Sequence, residues 1–157
     1  MKKLFGFILC VIAFEATSQQ LSDEAALIQS LFGSDKKNIV SEFVGVDGSA
    51  KSIFLQLYDE YEASRKSLGE KKFSVLNNYV NNYTKLTEEE TGRVMSEIMK
   101  LTAGQEKLVN SYYNKIKKKC GVTAAAQFYQ IESYLLSEIR TAVLESIPVI
   151  SQLENKK

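Results

Sequence analysis

Carboxylates, tyrosines and two cysteines are the residue types through which this 157-residue chain could do chemistry. It has no histidine, so it lacks the commonest general base and the usual partner of a serine or cysteine nucleophile. The densest carboxylate cluster away from predicted helix ends is Asp59, Glu60 and Glu62. Neighbouring positions on a helix point in different directions, which favours a solvated face over a calcium site. We therefore predict a non-enzymatic protein with no catalytic residue, no metal site and no cofactor.

The eight tyrosines are the second group that could form a site. A tyrosine buries an apolar ring while its hydroxyl stays wet, so it suits both the edge of a helix-packing core and a surface that binds proteins. Both interpretations are open for this chain. The residues that we predict for partner binding lie in the last two predicted helices and are Tyr112, Tyr113, Phe128, Tyr129, Gln130 and Glu132.

The first 18 residues are typical of an export signal. Lys2 and Lys3 give a positive start, an almost unbroken apolar run follows over 4–14, and 16–18 offers small residues for cleavage. The apolar run is well short of the roughly 20 residues that cross a bilayer as a helix. We predict a cleaved signal over 1–18, export to the periplasm or the extracellular space, and no transmembrane segment afterwards. A retained N-terminal anchor is the alternative.

Removal of the signal changes both charge and cysteine count. Lys2, Lys3 and Glu15 leave with it, so 20 basic and 19 acidic residues become 18 of each. A neutral chain gives no reason to expect nucleic acid, whose binding depends on lysine and arginine. Cys10 leaves as well, and Cys120 is then the only cysteine of 19–157. It is either a thiol without a role at a helix end or the site of an intermolecular disulfide.

Residues 19–157 are predicted to form one all-helical domain, because no segment alternates apolar and polar residues long enough for a strand. Two short helices, over 22–32 and from Ser34 to about 43, precede a turn at 45–48. Three long helices follow, with short connections that favour an antiparallel bundle or elongated helical hairpins. The first long helix covers 49–82, and we expect a bend or a break near Gly69.

The last two long helices carry clear boundary signals. Thr87 is answered three residues later by Glu90, which is the capping-box spacing, and Gly121 follows the predicted end at Cys120. We expect Thr123 to cap the last helix, which runs to about Ser146. Positions on one face, all apolar except Gln105, recur at three- and four-residue steps in both helices. They are Val94, Ile98, Leu101, Gln105, Leu108 and Tyr112 in the first, called the seam, and Phe128, Ile131, Leu135, Ile139, Ala142 and Val143 in the second.

Two stretches resemble the paired LTxxQ motifs of the Spy and CpxP-like periplasmic proteins. They are Leu86-Thr87-Glu88-Glu89-Glu90, where glutamate replaces the final glutamine, and Leu101-Thr102-Ala103-Gly104-Gln105. The tract over 126–132 is similar to the last helix of small exported bacterial proteins that we associate with this group. The resemblance implies a helical, often dimeric envelope protein that binds exposed apolar surface of other proteins without a cofactor.

These observations together predict an exported, non-enzymatic protein of the bacterial envelope that binds other proteins in a chaperone-like or stress-related role. Its partners would be other proteins, with self-association into a homodimer as a further option, and not nucleic acid. The alternative is a structural or assembly subunit that pairs with one specific partner through the seam.

Overall fold

The structure is a computed structural model that describes residues 36–147. Within that range the chain forms four helices and no strand: α1 (Lys36–Phe43), α2 (Gly48–Asn82), α3 (Glu88–Cys120) and α4 (Val122–Ser146). The all-helical prediction is confirmed. The described part holds one short and three long helices. The predicted helix over 22–32, the export signal and Cys10 lie outside the described residues.

The boundaries of the long helices follow local sequence chemistry, with two corrections. The capping box at the start of α3 is confirmed: the Glu90 amide donates to Thr87 Oγ1 at 3.2 Å, and the Thr87 amide donates to Glu90 Oε2 at 2.8 Å. The expected break at Gly69 is wrong, because α2 runs unbroken through a buried Gly69, and a bend there stays a prediction. The expected cap at Thr123 is also wrong. Gly121 has a φ of 94°, a conformation that favours glycine, and this single residue turns the chain from α3 directly into α4.

The end of the bundle that contains Gly121 is densely packed, and we call it the closed end. Here α1 lies mainly against α4, and its Val40 and Val44 join a core that α2, α3 and α4 complete. Aromatic rings form the centre of this core, because Phe128 packs edge-on against both Tyr58 and Tyr61, with the Tyr61 ring centroid 5.2 Å away. All four helices therefore contribute to one core at the closed end.

The opposite end, which contains the α2–α3 connection, has a smaller core, and we call it the open end. Phe73 and Leu76 of α2 pack there with Ile139 and Val143 of α4. The six-residue stripe predicted for α4 faces the interior, with Ala142 half-buried and the other five buried. Only Tyr112 of the seam is buried, while its other five residues are half-buried. None of the helices within 36–147 is long and apolar enough to span a membrane.

Candidate functional site

A group of ionisable side chains, most of them buried, surrounds Lys36 at the start of α1, and we call it the charge cluster. It brings together Lys36 from α1, Glu62 and Arg65 from α2, and Glu132 from α4, with the hydroxyls of Tyr58 and Tyr61. Lys36, Arg65 and Glu132 are each at most 3% exposed. Two cations face two carboxylates, so the formal charges of the cluster balance.

Glu132 is the centre of the charge cluster because both of its oxygens accept hydrogen bonds from two sources. Lys36 Nζ lies 2.7 Å from Oε1 and 2.6 Å from Oε2. The hydroxyl of Tyr58 donates to Oε1 at 3.0 Å, and that of Tyr61 donates to Oε2 at 2.7 Å. Burial, and then the Glu132 carboxylate, raise the pKa of both tyrosines far above the ordinary value, so both hydroxyls stay protonated donors.

Glu62 links the second cation to the cluster. Its Oε1 accepts from Lys36 Nζ at 2.8 Å and from Arg65 Nε at 2.6 Å. Burial acts to raise the pKa of Glu62, but Lys36 and Arg65 outweigh it, so the pKa is lowered from its ordinary value. The prediction of a solvated carboxylate face is therefore right for the exposed Asp59 and Glu60 and wrong for Glu62.

Chemically, the charge cluster ties three helices together and offers almost no surface to a substrate. Every buried polar side-chain atom among residues 36–147 has a hydrogen-bond partner. A fully satisfied buried network fixes one arrangement of the helices, because any shift would leave a buried charge without its partner. The cluster is thus the attachment of α1 to α2 and α4.

Sequence reasoning missed both Lys36 and Arg65. A signal was present, because Arg65 follows Phe54, Tyr58 and Tyr61 at three- and four-residue steps on the buried face of α2. Glu132 lies in the same way on the buried face of α4. Opposite charges on the apolar faces of two helices indicate a buried pair. Lys36 gives no such signal, since its short helix has few apolar positions.

An open cleft lies between α3 and α4 in the open half of the bundle, and α2 forms its floor. Its volume is about 730 Å³. Its lining along α4 begins at Tyr129, whose ring meets that of Tyr113 edge to face at 6.1 Å. It extends to Ile147, directly after the end of α4. The apolar residues that line it include Leu68, Phe73, Met95, Ile98, Met99, Leu136 and Leu144.

The lining of the cleft combines exposed apolar side chains with three charges. Met99 is 61% exposed and Leu144 is 56% exposed, although both are large apolar residues. Methionine is flexible and suits surfaces that accept varied partners. The ionisable residues of the lining are Lys72, Glu106 and Arg140.

The structure divides the predicted partner-binding residues between the core and the surface. Phe128 and Glu132 are fully buried, and Tyr112 is buried against Tyr61 with the ring centroids 5.5 Å apart. Tyr113 is half-buried against Tyr129. Tyr129 is 47% exposed and lines the cleft, and Gln130 is exposed beside it in the sequence. Of these six residues, Tyr129 and Gln130 are therefore accessible to a partner, whereas Tyr112, Phe128 and Glu132 are not.

Cys120 ends α3 at the closed end and is partly buried. Its Sγ lies 3.7 Å from the carbonyl oxygen of Ala50 in the first turn of α2. Burial raises the pKa of the Cys120 thiol, which reduces the reactive thiolate form. The intermolecular disulfide stays a prediction.

The two LTxxQ-like motifs lie at different places on α3. Thr87 and Glu90 form its capping box at the open end, whereas Leu101, Thr102 and Gln105 line the cleft. Thr102 also accepts a hydrogen bond from Lys72 at 3.3 Å. In the part of the chain from 36 to 147, no group of three or more acidic or cysteine side chains could hold a metal ion.

Comparisons with protein-family models, with curated proteins and with solved structures give no match for this chain. The resemblance to the Spy and CpxP-like proteins therefore rests on the two motifs and on the tract over 126–132.

Proposed function

We propose that this chain is an exported, non-enzymatic protein of the bacterial envelope that binds apolar segments of other proteins in the cleft between α3 and α4. The role would be chaperone-like. The observation that carries the proposal is the cleft itself, which is open and apolar and includes methionine and leucine side chains that are more than half exposed.

Exposed apolar side chains of this kind need a reason. Large contiguous apolar patches on a protein surface usually mark a site of interaction, because leaving them in water is unfavourable. The cleft is concave, so it can cover a bound side chain on three sides. Its flexible methionines allow it to adapt to different sequences, which a chaperone-like role requires.

Suppression of aggregation tests the proposal. Light scattering of a chemically unfolded client protein would be followed on dilution with increasing amounts of the purified protein. We expect scattering to fall, and we expect the fall to be lost when Met99 and Leu144 are both replaced by glutamine. Tyr134→Gln is the matched control, because Tyr134 is 55% exposed on α4 but does not line the cleft. No effect of the parent protein at several-fold molar excess would overturn the proposal.

Export is a separate part of the proposal, and it rests on the residues of the first 18 positions. Expression of the full chain in a bacterium, followed by fractionation and mass measurement, tests it. We expect the protein outside the cytoplasm with Gln19 as its first residue. A full-length product that stays with the membrane would instead indicate a retained anchor.

The alternative function, a structural subunit that pairs through the seam of α3, has less support. The seam is half-buried or buried, and only Ile98, Leu101 and Gln105 of its six residues line the cleft, so the seam as a whole does not form a continuous open surface. Copurification of one stoichiometric partner that does not depend on Met99 or Leu144 would favour this alternative.

A further inference from the structure

We infer that the occupant of the cleft is an amphipathic helix of another protein, with acidic residues beside its apolar stripe. This inference rests on the proposed function and specifies the class of segment that the site accepts. Three features of the cleft carry it, namely its dimensions, the secondary structure around it and the charges of its lining.

The dimensions of the cleft match one face of a helix about four turns long. Its lining runs along α3 from Met95 to Asn110 and along α4 from Tyr129 to Leu144, which is about 22 Å on each helix. A helix of that length and about 10 Å across occupies roughly 1,700 Å³. The cleft has about 730 Å³ and is open to solvent along its length, with Met99 and Leu144 more than half exposed, so it can cover only one face of such a helix. The other face stays in water, and the segment must be amphipathic.

The surroundings of the cleft favour a helix over an extended segment. An extended peptide binds best beside a strand, which supplies partners for its backbone N–H and C=O groups. No strand is present among residues 36–147, and the walls of the cleft are helices whose backbone groups already bond to one another. A helix satisfies its own backbone and can add a further layer to the bundle where α1 does not reach.

The charges of the lining favour an acidic segment. Arg140 on the α4 wall is positive, Lys72 on the floor already donates to Thr102 at 3.3 Å, and Glu106 on the α3 wall is the single carboxylate of the lining among residues 36–147. Arg140 forms no ion pair with any of residues 36–147. Its guanidinium, which is exposed at the rim, is therefore available to a carboxylate beside the apolar stripe of the occupant.

Fluorescence anisotropy with synthetic peptides tests the inference. Three labelled 18-residue peptides would share one stripe of leucines at three- and four-residue spacing. The first has glutamates beside the stripe, the second has lysines there, and the third is the acidic peptide with proline at its centre. We expect the purified protein to bind the acidic peptide about threefold to tenfold more tightly than the basic one in low salt. We expect the proline peptide to bind at least tenfold more weakly than the acidic one.

Variants of the protein assign these differences to the cleft. Arg140→Glu should remove or reverse the preference for the acidic peptide, whereas Tyr134→Gln should preserve it. Leu144→Gln should weaken both the acidic and the basic peptide. Circular dichroism of each variant confirms that the helical fold is intact.

Three outcomes would overturn the inference. Equal binding of the proline peptide would indicate an extended occupant, and equal binding of acidic and basic peptides would remove the role of Arg140. A parent protein that sediments as a dimer, and a Leu144→Gln variant that sediments as a monomer, would assign the cleft to a second copy of this chain. The proposed function fails separately, because client aggregation can be suppressed or not whichever peptide binds.

Discussion

The charge cluster shows how four charged side chains can lie inside a helical core. Moving an ion out of water costs several kcal/mol, and here the cost is offset by opposite charges and by the hydroxyls of Tyr58 and Tyr61. The balance depends on every member, because removal of one leaves the others buried without compensation. The cluster therefore stabilises one arrangement of helices more than it stabilises the folded state as a whole.

Replacement of a cluster carboxylate by its amide measures this dependence. Glu132→Gln leaves Lys36 and Arg65 with one carboxylate between them, and we expect it to lower the free energy of unfolding by about 3 to 5 kcal/mol in urea titrations. Asp59→Asn is the matched control, because Asp59 also pairs with a lysine of α1, Lys37 at 2.6 Å, but in solvent. We expect the control to cost less than about 1 kcal/mol. Equal losses would mean that burial of the cluster has no energetic role.

The lowered pKa of Glu62 predicts a dependence of stability on acid. Because Glu62 binds its proton less readily when folded, the stability that it contributes is present above its ordinary pKa of 4.5 and is lost as the pH falls through its folded pKa. We expect the free energy of unfolding to fall below about pH 4.5, and to fall less steeply in Glu62→Gln. The exposed Glu60→Gln should follow the parent protein. A parallel fall in all three would contradict the prediction.

At the scale of the elements, α1 is the helix whose place depends most on side chains. It has eight residues, too few to be stable alone in water. Two apolar residues, Val40 and Val44, pack it into the closed-end core, and Lys36 ties it to both α2 and α4. By contrast, α2 and α3 lie along each other over most of their length.

Hydrogen exchange can test the attachment of α1. In Lys36→Met the ion pairs to Glu62 and Glu132 are lost, so we expect the amides of α1 to exchange roughly tenfold faster or more, with a smaller change around Tyr112 in α3. Lys37→Met, one residue along, should change exchange little because the Lys37 pair is exposed. A uniform rise across all helices in Lys36→Met would show global destabilisation instead of release of α1.

Much of each element could be predicted from sequence, because helix boundaries depend on neighbouring residues. The capping box of Thr87 and Glu90 and the end of α3 at Gly121 are examples. The start of α4 could not be placed, since a threonine cap and a one-residue glycine connection are both compatible with the local sequence. The break expected as one option at Gly69 is absent because a helix packed against a long neighbour tolerates a glycine.

For the whole molecule, the structure separates a closed end that contributes most of the packing from an open end that carries the cleft. Of the seam that periodicity predicted in α3 only Tyr112 is buried, and the sequence did not indicate that Leu101 and Gln105 would line an opening. The width of a gap between two helices depends on residues from all of them, and no single segment encodes it. The charge cluster was missed for the same reason, because Lys36, Glu62 and Glu132 come from three helices.

This separation predicts different energetic costs at the two ends. Leu144→Gln in the cleft should change the free energy of unfolding by less than about 0.5 kcal/mol, because its side chain is already largely in water. Leu135→Ala in the closed-end core should cost about 2 to 5 kcal/mol. Thermal and urea unfolding of both variants provide the comparison. A large loss in Leu144→Gln would mean that the cleft is part of the stabilising core.

The conformation of Gly121 affects the width of the cleft at the opposite end of the bundle. It is the single residue between α3 and α4, and apart from its two chain neighbours no described residue has an atom within 4 Å of the position that a Cβ would occupy there. The 25 residues of α4 extend about 37 Å from this glycine, so the backbone angles of Gly121 help to set the direction in which α4 leaves α3. A difference of about 5° in that direction would place the far end of α4 about 3 Å away, a distance close to the radius of a side chain. The backbone conformation of one glycine at the closed end therefore contributes to the width of the cleft at the open end.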